Sequence, residues 1–426
     1  MSSALPSYDQ AAALVAACAA QLARSRPLAE RVELGQAAGR VLAQPLFADR
    51  DQPSFARSTR DGFACRASEA SAHLPLAVVG STHAGDAPAG PLPPGAAWEI
   101  MTGAPVPAGA DAVAMLEHVE VAEGRLHLLP PRTIKTGENI VAQGAQAGEG
   151  DLLLPAGTAI HSAQIALAAA CGCAALDVFL RPRVAILATG DELVPAESSP
   201  APGQIRNSNS PMLAAMVAAA GGEPLVLPSA PDNAQALDAA LAQAAEADLL
   251  LVSGGVSAGK FDLVEPALAR AGARFHFTGV RIQPGKPLVF GELPDRNARN
   301  LQDENRTKYF FGLPGNPVSS AVTFLLFAAP VLAALAGSIE SYPRFALARL
   351  ASATDKHGKP GLTRFLPAHC DFGAKARQLP EVALVPAHGS GDLAALARAN
   401  CFLVVPEEAH RLEAGAIVRI LLSNSQ

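Results

Sequence analysis

Phe311-Gly312-Leu313-Pro314-Gly315-Asn316-Pro317-Val318-Ser319 is the stretch that decides how this chain is read. It follows an apolar, strand-like run from Lys308 to Phe311 and precedes an apolar run of helical character. Its prolines fix φ and withhold amide donors, while its glycines let the backbone pass close to a ligand. A strand that turns this sharply into a helix aims backbone N–H groups, and the positive helix end, at whatever lies above the sheet. Taken alone, such a turn needs no ligand.

Two similar turns lie upstream. Ala247 to Val252 reads as a buried strand and runs into Ser253-Gly254-Gly255-Val256-Ser257-Ala258-Gly259-Lys260. Arg183 to Ala188 ends in Thr189-Gly190-Asp191-Glu192-Leu193. Three strand ends bearing glycines and polar groups match an open α/β sheet whose ligand sits beyond the carboxyl ends of the strands.

Working outward, residues 183–336 alternate strand and helix patterns at βαβ spacing. Strands are expected at Val184–Ala188, Pro224–Leu227, Leu249–Val252, Phe275–Val280, Leu288–Phe290 and Tyr309–Phe311. Helices are expected near Met212–Ala220, Ala234–Ala245, Leu263–Ala271 and Val318–Leu335. Residues 294–307 are highly polar and read as an exposed hairpin loop. The expected organisation is a doubly wound α/β domain at 181–340, with an inserted all-β domain at 49–151 rich in Gly/Pro turns. A helical linker domain is expected from 1–48 plus 152–180, and a C-terminal β barrel at 341–426, with short strands such as Phe345–Leu350 and Cys401–Val405.

Composition sets limits. Hydrophobic residues are 50% and charged residues 17%, enough for well-buried cores. The net charge of −6 argues against a nucleic-acid or anionic-membrane surface. The six cysteines are scattered except for Cys171 and Cys173, so packed, reduced thiols are expected rather than a zinc site. Ala11 to Ala20 is apolar but lacks a basic leader, and an amphipathic first helix to about Arg24 fits it better. No run is read as reaching the roughly 18 apolar residues of a membrane span, and a cytoplasmic location is expected.

Gly254-x4-Gly259-Lys260 fits seven positions of a phosphate-binding P-loop, but Phe261 stands where Ser or Thr would hold magnesium. Gly254, Gly255 and Ser257 still offer donors to a phosphate. Ser54 to Ala64 reads as too polar for a core strand, with Asp61-Gly62 an ordinary turn. Met101 to Asp111 is a second extended, Pro/Gly-punctuated run. Asp61, Asp191, Glu192, Asp232 and Asp262 all fall in turns or at element ends. Each alone reads as a cap or solvated side chain; converging, they could hold Mg2+ through oxygen ligands. Lys286, in Pro284-Gly285-Lys286-Pro287, could neutralise an oxyanion if it lies beside the glycine turns.

In this order the motifs resemble the molybdopterin molybdenumtransferase family, which includes bacterial MoeA and the E domain of gephyrin. The points of resemblance include Ser58 to Ala64, Met101 to Asp111, Gly137-Glu138-Asn139-Ile140, Thr189 to Leu193 and Ser208-Asn209. They continue through Gly254 to Ser257, Pro284 to Pro287, Gly312 to Ser319, Gly389-Ser390 and Ala399-Asn400. The resemblance implies a four-domain subunit in a homodimer, with an active site between one subunit's α/β domain and the other's inserted β domain. It implies hydrolysis of adenylylated molybdopterin with Mg2+, release of AMP, and insertion of molybdate at the dithiolene. The adenylyltransferase that makes the substrate would then be a partner.

Carried over position by position, the resemblance implies substrate binding by Thr189, Gly190, Ser208, Asn209, Gly254 and Gly255. The same role falls to Ser257, Pro314, Gly315, Asn316, Ser319 and Ser390. Asp61, Glu192, Asp232, Asp262 and Lys286 would be catalytic, and Asp191, Glu192 and Asp262 would hold the metal. Departures are Thr59, Arg60 and Phe63 around Asp61, Gln146 for an acidic residue, Lys260 for another, and Gln283 before Pro284. Leu362 stands where an arginine is expected, with Arg364 two residues on. A non-catalytic scaffold that binds or delivers a pterin cofactor is the alternative these departures raise.

Overall fold

The computed structural model of the chain describes residues 5–22, 28–87, 89–255, 263–294, 307–340, 342–354, 361–373 and 379–423. At its centre, β1 (Arg183–Ala188), β2 (Glu223–Val226), β3 (Leu249–Ser253) and β6 (Thr307–Leu313) lie parallel in the order β2-β1-β3-β6. Two antiparallel strands, β5 (Val289–Pro294) and β4 (Arg274–Phe277), complete the sheet on the β6 side. The apolar runs read from sequence are these strands; β1, β3, β5 and β6 are largely buried on both faces, as a sheet between helices demands, while β2 and β4 at its edges are partly exposed. The strand expected at Phe275–Val280 is shorter than read and stops at Phe277, before Gly279.

The helices α1 (Asn209–Ala219), α2 (Ala234–Gln243) and α3 (Val264–Arg270) connect the strands, and α4 (Pro317–Leu335) follows β6. One face of the sheet packs with Leu213, Val217, Val322 and Phe327, the other with Leu237, Ala240, Ala267 and Leu268. Within α4, Phe324–Ala328 widens into a π turn just before Pro330. Proline lacks the amide that an α turn needs and its ring crowds the carbonyl four residues back, so the wider turn absorbs the misfit. Contrary to the sequence reading, α4 is long and apolar enough to cross a membrane by length and composition alone. It is 83% buried within the protein, which makes it a core helix.

The first helix, Tyr8–Leu22, packs into the same core, with the Tyr8 ring edge-on to Phe327 and Phe365. Residues 28–48 and 152–180 run side by side. Ala29–Glu33 pairs with Ala175–Phe179, and Leu46–Phe47 with Leu152–Leu154, around a small core of their own. The intervening segment folds as a six-stranded sheet, and here the sequence reading needs correcting. Gly62–Cys65, expected to be too polar for a core strand, is a fully buried strand between Ala96–Ile100 and Ala112–Met115. The polar residues Arg60 and Asp61 stop just short of it, and Phe63 enters the core.

The C-terminal part is a closed five-stranded barrel built from β7 (Phe345–Leu350), β8 (Thr363–Asp371), β9 (Glu381–Leu384), β10 (Cys401–Val405) and β11 (Ile417–Leu422). Ile282–Gln283 adds beside β8, tying the barrel to the α/β domain.

Candidate active site

The carboxyl ends of β1, β3 and β6 are stitched together by backbone. The Thr189 N–H donates to the Ser253 carbonyl (3.0 Å), Gly190 to Ala230 (3.2 Å) and Gly254 to Leu313 (3.2 Å). Gly254 and Gly255 take φ of 96° and 62°. A Cβ on Gly254 would sit 2.6 Å from the Thr189 carbonyl oxygen, so the close passage of the loops requires glycine there. The N–H groups of Gly255, Gly315 and Asn316 have no acceptor among the described residues. They join the N-terminus of α4, begun by Pro317, in presenting positive partial charge.

Asn209 opens α1 and locks two of these loops. Its Nδ2 donates to the Ser253 hydroxyl (2.8 Å) and to the Gly315 carbonyl (2.7 Å). Its Oδ1 and the Thr189 Oγ1 are buried without a hydrogen-bond partner among the described residues. Together the loops enclose a cleft of about 650 Å³. Thr189, Gly190, Glu192, Ser208, Asn209 and Asp232 line one side of it, and Gly254, Gly255, Pro314, Gly315 and Asn316 another.

The barrel closes this cleft. The Ser390 hydroxyl accepts from Asn316 Nδ2 (2.9 Å), and the Ser390 carbonyl accepts from the Val318 N–H (3.1 Å). Asp392 holds the loop by accepting from the Ala395 N–H (2.9 Å) and the His388 N–H (3.0 Å), bonds that keep its carboxyl below the usual range. Gly391 and Leu393 then face the cleft. Sequence reasoning passed over Gly391, Leu393, Ser253 and Asn207. Ser253 had a signal, as the first residue of the glycine turn; Gly391 and Leu393 had none, because nothing local says where a barrel docks.

Among the carboxylates, the Asp232 N–H donates to Asp191 Oδ1 (3.0 Å). Partial desolvation, then the charges of Asp191 and Glu192, push the Asp232 carboxyl up. No group of three His, Cys, Asp or Glu side chains placed to hold a metal ion occurs among the described residues. Ser257, Lys260 and Asp262, like residues 295–306 of the polar loop, lie outside the described residues.

Asp191 neighbours the cleft without lining it, as does exposed Lys286, whose neighbour Pro287 does line it. Ser319 is buried within α4, 4% exposed. Asp61 is exposed on the inserted domain and does not line the cleft of its own chain. Its Oδ1 accepts from the Thr102 N–H and hydroxyl, both at 2.7 Å, and these bonds hold the carboxyl below its ordinary range. Arg364 is buried in β8 and donates to the Ala409 (3.2 Å) and His410 (3.3 Å) carbonyls, so it does not stand in for the arginine missing at Leu362. All six cysteines are free.

Fold and cleft define a multidomain α/β protein with a polar cleft at the carboxyl ends of its sheet, closed over by a β barrel. Residues 6–172 match the family described as "MoeA N-terminal region (domain I and II)", 185–334 the "Probable molybdopterin binding domain", and 349–423 the "MoeA C-terminal region (domain IV)". The chain is 36% identical over 399 residues to a molybdopterin molybdenumtransferase of Nostoc sp., covering 92% of this chain and 88% of that one. It is 34% identical over 403 residues to one of Bacillus subtilis, covering 92% and 89%. The crystal structure of the molybdopterin biosynthesis moeA protein from Pyrococcus horikoshii OT3 superposes with a TM-score of 0.75 at 27% identity, over 98% of this chain and 100% of that one. The chain belongs to the molybdopterin molybdenumtransferase family, enzymes of molybdenum cofactor biosynthesis.

Proposed function

We propose that this chain hydrolyses adenylylated molybdopterin, releases AMP and inserts molybdate at the dithiolene to give molybdenum cofactor. One observation carries the reading: three strand-end turns and Asn209 meet in one cleft that presents unpaired N–H groups and two carboxylates. Gly255, Gly315, Asn316 and the α4 N-terminus bind the pterin phosphate, with Ser257 supplying a further hydroxyl. Pro314 shapes the turn, and Thr189, Gly190 and Ser208 complete the wall.

The donor set fits Mg2+. Asp191, Glu192, Asp232 and Asp262 offer only hard oxygen ligands, and Mg2+ is usually held by one or two carboxylates plus substrate phosphates rather than by a protein cage. The Asp232 carboxyl is raised by partial desolvation and then by the like charges of Asp191 and Glu192, and a divalent ion would offset that charge repulsion. When bound, the ion neutralises charge on the phosphates being separated. The partner subunit's Asp61, kept ionised by Thr102, orients or deprotonates the attacking water in a homodimer. Lys286 and Ser390 receive the molybdate dianion, a fixed charge and a hydroxyl donor for a tetrahedral oxyanion. The adenylyltransferase hands over the substrate.

The test is incubation of the full chain with adenylylated molybdopterin, Mg2+ and molybdate. AMP release and activation of an apo molybdoenzyme are expected; tight binding without AMP release would sink the proposal.

A further inference from the structure

Two clefts outside the substrate site meet where the α/β domain, the paired N-terminal segments and the barrel converge. The first, about 550 Å³, has a floor of Phe324, Ala329 and Leu421, none more than 2% exposed, and walls that include Ala215, Met216 and Leu325. The second, about 410 Å³, is bordered by Arg40, Arg181, Arg344, His161 and Glu340. The two share Ala219, Ala220, Tyr342 and Arg344, so they form one groove with an apolar half and a basic half.

The basic half is bordered by three arginines, two of them paired with Glu30 and Glu340, in a chain whose net charge is −6. Arg344 lies 4.9 Å above the Tyr342 ring and pairs with Glu340, leaving guanidinium donors to spare. Arg181 is exposed and has no ion pair among the described residues. Arg40 is already engaged, its Nη2 donating to Glu30 Oε1 (2.5 Å) and to the Phe179 carbonyl (2.8 Å), so Arg344 and Arg181 are the guanidinium groups left for a ligand. A concave apolar floor continuous with convergent, under-used cationic donors is the chemistry of a small-molecule site. Its walls are the far parts of α1 and α4, the helices whose N-termini carry Ser208, Asn209 and Pro317 to the substrate cleft.

We propose that this groove is a second ligand site for a small amphipathic carboxylate. The aliphatic or aromatic body lies on Phe324, Met216 and Leu421, and the carboxylate lies against Arg344 and Arg181. Charge complementarity selects an anion, and the concave floor selects an apolar body; a neutral or cationic amphiphile meets only half of the groove.

The experiment is titration calorimetry of the full chain with octanoate, octanol and octylamine. Octanoate should bind saturably at one site per chain, with octanol at least about tenfold weaker, the loss expected for a charge-assisted hydrogen bond. Arg344→Gln should weaken octanoate about tenfold without affecting octanol. Ala215 is exposed, so Ala215→Glu leaves the core intact while placing a negative charge at the mouth, and it should abolish octanoate binding; Ala215→Ser should keep it. Equal binding of octanol and octanoate, unchanged binding by Ala215→Glu, or absence of saturable binding would each overturn the assignment. So would octanoate binding that appears only when a dimer is diluted to monomer in sedimentation runs, because the groove would then be an interface between copies of the chain.

Discussion

Asn209 shows how one side chain organises the site. A single amide nitrogen serves the Ser253 hydroxyl and the Gly315 carbonyl, so two strand-end loops hang from the first residue of α1. Asn209→Leu keeps the volume and leaves both acceptors unpaired, which should cost about 1–3 kcal/mol in urea unfolding and raise KM for the pterin substrate. An unchanged KM would mean the loops hold their places without it. Asp232 gives a prediction of opposite sign. Its carboxyl is pushed up by partial desolvation and by Asp191 and Glu192, so the folded chain holds that proton more tightly than the unfolded one. The stabilising contribution is present in acid, below the unfolded value, and is lost as pH rises through the folded value. Asp232→Asn, without added Mg2+, should therefore raise the thermal midpoint near pH 7, and the gain should fade below about pH 4. Equal gains at both pH values would show that the charge cluster is not the cause.

Among the elements, those of the α/β sheet were the most legible, because a strand buried on both faces must be an unbroken apolar run. Phe311 in β6 is fully buried and stacked 4.7 Å from Phe290. Phe311→Ala should cost about 3–5 kcal/mol in denaturant unfolding. Leu347→Ala on the barrel, where the residue is 56% exposed, should stay within about 0.5 kcal/mol. Similar costs at the two sites would refute the assignment of the core to this sheet. Legibility failed where local chemistry argued against the element. Pro367 sits mid-strand in β8, opposite Phe402, and hid the longest strand of the barrel. Arg60 and Asp61 made the approach to Gly62–Cys65 look like surface, although the four residues beyond them are buried. Pro330 ordinarily ends a helix, yet the one read over Val318–Leu335 holds, because the π turn at Phe324–Ala328 accommodates the proline.

At the scale of the molecule, the candidate site is distributed. The turns that line the cleft were readable because each carries its own glycine signal, whereas the closure by Ser390, Gly391 and Leu393 depends on how separate cores dock. Asp61 carries that argument furthest, since it sits on the inserted domain and lines no part of its own chain's cleft. If it acts on the partner's cleft, two inactive variants should rescue each other. Asp61→Asn retains a sound cleft but offers no carboxylate to its neighbour; Asn316→Leu offers Asp61 but spoils its own phosphate wall. In a mixed dimer, the sound cleft of the first chain meets the intact Asp61 of the second, while the opposite site carries both lesions. Equal mixing with free subunit exchange makes half the dimers mixed, each with one good site of two, so activity should recover to about one quarter of wild type. Measuring AMP release before and after exchange decides the matter. Were Asp61 to serve its own chain, every site in the mixture would keep a lesion and no activity would return.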